Sequence, residues 1–167
     1  VSVRVFRLSG AVLEQVLARV AEVEIQYYRL ALVIGGSGTG KTLLLKGLSR
    51  MLGTPMVNVN LELARMLIEI PASRRSPSVS RLMGQIVSVA GSDRVILDNT
   101  EILFHPSLQT DPLKLFQNLS RNRTIIASWQ GSVEEDEIVY APPGWPERRR
   151  YGAAGVVTVC MNKSVER

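Results

Sequence analysis

A chain of 167 residues that is 46% hydrophobic can build one α/β core but not two comfortable ones, so residues 1–167 read as a single domain. Twenty Lys and Arg against fifteen Asp and Glu leave a net charge of +5, which favours an anionic partner, whether a phosphate ligand or a nucleic acid. No apolar run is long enough to cross a membrane and no leader-like segment opens the chain, which predicts a cytoplasmic protein with no membrane partner; the single Cys160, in an apolar stretch, excludes an internal disulfide and predicts a buried thiol.

Residues 3–8 alternate, Gly10 breaks the pattern, and residues 11–28 carry Val12, Val16, Val20 and Val23 at helical spacing, which predicts a helix beside the first core strand. Leu30-Ala31-Leu32-Val33-Ile34 is a continuous apolar run, the pattern of a parallel strand buried on both faces. It leads into Gly35-Gly36-Ser37-Gly38-Thr39-Gly40-Lys41-Thr42, which fits GxxxxGK followed by Ser or Thr. Glycines allow the backbone N–H groups to turn inward onto phosphates, with a helix N-terminus behind them, here beginning at Leu43. In such a loop Lys41 reaches the β- and γ-phosphates, and Thr42 offers its hydroxyl to the magnesium that bridges them. A plain Gly-rich turn is the alternative; the order strand, loop, helix favours ATP with Mg2+.

After a break at Gly53-Thr54-Pro55, residues 56–60 read as a second strand and 61–70 as a helix closed by Pro71. Ala72-Ser73-Arg74-Arg75-Ser76-Pro77-Ser78 is the most loop-like stretch, a solvated segment or one that touches DNA or a protein. A helix over 79–90 follows. Arg94-Val95-Ile96-Leu97-Asp98 is an apolar strand ending in a carboxylate, the Walker B pattern, so Asp98 is the second candidate magnesium ligand; a simple capping Asp is the alternative. Pro112 suits the first turn of a helix over 113–120. Residues 124–129 and 155–161 are the fourth and fifth strands, and Glu134-Glu135-Asp136-Glu137 between them reads as a solvated helix start.

Five strands alternating with helices predict an α/β P-loop NTPase with a five-stranded parallel sheet, its chemistry at the carboxyl ends of the strands. Gln130 first and Ser128 second, at the end of the fourth strand, then face the γ-phosphate. Many ATPases of this kind place an acid directly after the Walker B Asp. Here that position is Asn99, whose amide can orient a water but cannot take its proton. The next acid is Glu101, either the catalytic base or a solvated cap. An arginine supplied by a neighbouring subunit can raise phosphoryl-transfer rates about 10³- to 10⁵-fold, and Arg149, within Arg148-Arg149-Arg150, is the candidate, with Arg121 and Arg123 as alternatives and a plain basic turn as the bland reading.

Asn58-Val59-Asn60-Leu61-Glu62-Leu63, Leu97-Asp98-Asn99-Thr100-Glu101-Ile102-Leu103-Phe104 and Leu119-Ser120-Arg121-Asn122-Arg123-Thr124 resemble BrxF, the small P-loop protein family of type III BREX bacteriophage-exclusion systems. The resemblance implies an AAA+-like core, with Asp98-Asn99 and Glu101 as the family's own Walker B form; the sequence stops soon after the expected fifth strand, which predicts a core without a helical lid. It further implies other BREX defence proteins as partners, among them a DNA methyltransferase, a large ATPase and a phosphatase-like protein. The expected activity is slow hydrolysis of ATP by a self-assembled homo-oligomer. A nucleotide-dependent switch with little hydrolysis and a DNA-associated accessory resembling small AAA+ helicase loaders are the alternatives.

Overall fold

Side-chain alternation along strand β1 (Leu30–Gly35) decides the architecture. Leu30, Leu32 and Ile34 enter one apolar cluster, whereas Ala31 and Val33 enter another on the opposite face. A strand buried on both faces needs neighbours on both edges and helices above and below. In the computed structural model, which describes residues 10–141 and 144–161, it has them. The predicted segment 3–8 lies outside the described residues.

The parallel strands are β1, β2 (Met56–Asn58), β3 (Arg94–Asp98), β4 (Thr124–Glu134) and β7 (Val157–Cys160), in the spatial order β2-β3-β4-β1-β7. Helices α1 (Gly10–Val23) and α2 (Lys41–Leu52) cover the face of Ala31 and Val33, using Val16, Val20, Leu44, Leu45 and Leu48. Helices α3 (Val59–Ile68), α4 (Ala72–Val89) and α5 (Pro112–Leu119) cover the other face. The expected five-stranded parallel sheet between helices is therefore present, and two more strands extend it. Beyond Gln130, β4 pairs antiparallel with β5 (Glu137–Tyr140), and β5 with β6 (Arg149–Gly152).

Several sequence expectations change. Glu134 to Glu137 is not a helix start. It is the tight turn of the β4–β5 hairpin, closed by Glu135 and Asp136 at φ 48° and 64°. Two left-handed residues match the twist of the flanking strands, although Glu and Asp are not the usual residues for that work.

Residues 72–78 are not a loop but the first turns of α4. The helix tolerates Pro77 near its start because the stripe Val79, Leu82, Met83, Ile86 and Val87 is buried behind it. Arg75 also ties its origin to α3, its Nε donating to the carbonyls of Leu67 and Ile70 at 3.0 and 2.9 Å. The second strand stops at Asn58, whose side chain caps α3 by accepting the Leu61 N–H at 3.1 Å. Helix α1 ends at Val23 instead of reaching residue 28. Cys160 is exposed, not buried: among the described residues β7 pairs only with β1 and lies at the edge of the sheet.

Candidate nucleotide site

The carboxyl ends of β1, β3 and β4 converge on a cleft of about 520 Å³ lined by residues 37–43, Lys46, Asp98, Asn99, Glu101 and Gln130. Gly35 ends β1, and a Cβ there would press on Thr39 Oγ1 and stand 3.1 Å from the Met161 carbonyl oxygen, so a side chain would have to displace the loop. Gly40, at φ 90°, turns the chain into α2, so that the first N–H groups of this helix open onto the cleft. Thr39 closes the loop by donating from Oγ1 to the Gly36 carbonyl at 2.9 Å.

Lys41 folds back over its own loop and donates from Nζ to the carbonyls of Gly35 and Gly36, both at 2.7 Å. Burial pushes its ammonium below the ordinary lysine value, while the charges of Glu101 and Asp98 act the other way. Thr42 donates from Oγ1 to Asp98 Oδ2 at 2.7 Å, and Asp98 is 3% exposed. Two hard oxygen donors thus stand together beside the phosphate loop, a donor set suited to magnesium, which takes one or two protein oxygens and leaves its other positions to phosphate and water.

After β3 the backbone reverses at Asn99, whose φ of 50° is a left-handed conformation that Asn adopts more readily than most residues. The reversal feeds a 3-10 turn, Glu101–Phe104, and this path brings Glu101 to the cleft although two residues separate it from Asp98. Asn60, near the start of α3, holds the turn from the front. Its Nδ2 donates to Glu101 Oε2 at 3.0 Å, its Oδ1 accepts the Ile102 N–H at 2.8 Å, and its own N–H reaches the Asn99 carbonyl at 2.8 Å. Thr100, 1% exposed, donates to the Ser128 carbonyl at 2.8 Å and so joins the turn to β4. Asn60 and Thr100 were not singled out in the sequence, because their partners lie 41 and 28 residues away.

Gln130 lies opposite Gly35 in register and lines the cleft, whereas Ser128 is buried below it and does not. Arg149 does not line the cleft. Its guanidinium donates to the carbonyls of Thr110 and Phe104 at 2.6 and 3.4 Å. Arg121 donates to Tyr27 Oη, and Arg123 to the Val87 carbonyl, near the start of β4 and so at the opposite end of the sheet.

No protein-family model matches the chain, and no curated protein matches it by sequence. Solved structures do match it by fold. Caenorhabditis elegans PCH-2 is 20% identical with a TM-score of 0.50, over 92% of this chain and 42% of that one. AMPPCP-bound DnaA from Aquifex aeolicus is 17% identical with a TM-score of 0.45, over 77% and 41%. The replication initiator DnaA bound to AMPPCP and single-stranded DNA is 16% identical with a TM-score of 0.49, over 94% and 48%. The chain spans less than half the length of each. Its fold is AAA+-like, a P-loop α/β fold. No helix among the described residues is long and apolar enough to cross a membrane.

Proposed function

We propose that this protein binds Mg-ATP in the cleft and hydrolyses it slowly. The observation that carries the reading is the convergence, around one cleft, of the Lys41 loop, the Thr42 and Asp98 oxygens, Glu101 and Gln130. Lys41 leaves the carbonyls of Gly35 and Gly36 for the β- and γ-phosphates, and the N–H groups of residues 36–41 take the remaining phosphate oxygens. Thr42 and Asp98 would hold the magnesium, which would offset the charge of the phosphates. Glu101, aimed by Asn60, accepts the proton of the attacking water; Asn99 orients that water; Gln130 donates to the γ-phosphate.

Among the described residues, the cations lining the cleft are Lys41 and Lys46. Hydrolysis by such a site is slow until a neighbouring copy adds another cation, which supports a homo-oligomer as the active form. Arg149 is held by its own chain at two carbonyls, and Arg150, the exposed member of the cluster, would have to leave Glu134 and Glu137 to serve a neighbour. The setting we propose, phage exclusion beside other BREX proteins, rests on the resemblance to BrxF. Asn99 supports a second reading, a nucleotide switch with little turnover, because an amide stands where an acid would activate water directly.

Lys41→Ala tests the site itself. The variant is expected to lose measurable binding of Mg-ATP by calorimetry while melting within a few degrees of the parent, since Lys41 bonds only to its own loop. Normal ATP binding by the variant would show that the cleft is not the site.

A further inference from the structure

The β5–β6 ribbon grows out of β4 directly after Gln130, and its inner side is built against the turn that carries Glu101. Tyr140, the last residue of β5, stacks flat on Phe104 with ring centroids 3.5 Å apart and planes 4° from parallel. Trp129 meets the same Phe104 edge-on at 4.9 Å and Tyr151 of β6 at 5.4 Å. Phe104 stands three residues after Glu101, and in a 3-10 turn positions i and i+3 eclipse, so the ring and the carboxylate share one side of the turn.

Arg149 adds a clamp from β6. It donates to the carbonyl of Phe104, at the end of the turn, and to that of Thr110, beyond the next one. Its half-buried guanidinium therefore meets backbone carbonyls, while its neighbours Arg148 and Arg150 pair with Glu134 and Glu137 on the outside of the ribbon. The Tyr140 phenol keeps its proton up to about 12, because burial, Glu101 and Glu147 all oppose its ionisation more than Arg149 favours it. Tyr140 is thus a neutral side chain within the field of Glu101 at any working pH.

We propose that Arg149 and Tyr140 are positioning residues for Glu101, acting through the Glu101–Phe104 turn at Phe104, whereas Asn60 bonds Glu101 and Ile102 directly. Arg149 then serves the site of its own chain. The inference rests on Glu101 activating water, and it makes hydrolysis depend on the β5–β6 ribbon.

The test is a cycle of Arg149→Gln, Arg149→Lys and Tyr140→Leu, each made in the parent and in a Glu101→Gln background, with kcat and KM for ATP and amide exchange at Leu103 and His105. Arg149→Gln and Tyr140→Leu are expected to lower kcat roughly ten- to a hundredfold with KM unchanged, and to speed exchange at both amides. Arg149→Lys, which keeps one donor, is expected to recover part of the loss. In the Glu101→Gln background neither should cost anything further, because a misaimed carboxylate and an absent one are equivalent. An unchanged kcat, a loss confined to KM, or an equal loss in both backgrounds would overturn the proposal. Should Glu101→Gln alone leave turnover intact, the assignment of Glu101 falls first, which separates the two failures. Arg149→Lys and amide exchange keep the question decidable if Arg149→Gln does not fold.

Discussion

Lys41 carries a proton that burial makes easier to lose. Its ammonium is half-buried, so in the free protein it gives up that proton at lower pH than an ordinary lysine with a value of 10.5. The unfolded chain binds more protons across the window between the depressed and the ordinary value, so stability rises with pH there. A triphosphate beside Lys41 favours the charged form and raises its pKa again. ATP binding is therefore expected to take up protons on the alkaline side and to weaken as pH rises through the free protein's Lys41 value. Calorimetry in buffers of different ionisation heat reads that uptake directly. Alkaline affinity that stays flat, with no proton uptake, would remove Lys41 from the phosphates.

The elements differ in how far the sequence disclosed them. Runs such as Leu30 to Ile34 and Arg94 to Asp98 are continuous and apolar because both faces of those strands are covered, and this pattern survives without knowledge of the partner elements. The turn from β1 into α2 was legible because its pattern is local, six consecutive backbone positions and two side chains. The hairpin was not, since its turn uses Glu135 and Asp136 where Asn and Gly are usual, and four consecutive acids read as a helix start. Helix α4 was hidden by Pro77 and the serines, and only burial of its stripe overrides their preference for turns. The bond from Asn60 to Glu101 was beyond reach for another reason, as the two lie 41 residues apart along the chain.

Gly131 is the hinge of the added ribbon. A Cβ there would stand 1.7 Å from the Val139 carbonyl oxygen, which accepts the Trp129 indole N–H at 3.2 Å. Gly131→Ala must therefore push β5 off β4 and disturb the Trp129 indole. A loss of about 1–3 kcal/mol in denaturant unfolding, with a changed tryptophan emission, is the expected outcome. An unchanged melt would mean that the ribbon is not seated on β4 as described.

At the scale of the whole molecule, the cleft opens at one end of the sheet, while Arg121 and Arg123 lie at the other. The net charge of +5 adds a long-range attraction for anions that salt screens. Turnover per protomer is expected to rise with protein concentration if a neighbouring copy supplies a cation to the cleft. A flat curve over three decades of concentration would leave the cleft working alone. Duplex DNA as a partner predicts stimulation that falls steeply as salt increases.

The central claim is that the cleft binds Mg-ATP and that Glu101 activates the water attacking it. The most direct measurement is phosphate release by the parent and by Glu101→Gln, with ATP binding followed in the same samples, with and without magnesium. The account predicts magnesium-dependent release by the parent, and release reduced at least a hundredfold by Glu101→Gln with ATP still bound. Equal release from both proteins, or bound ATP never turned over by the parent at any concentration, would contradict it.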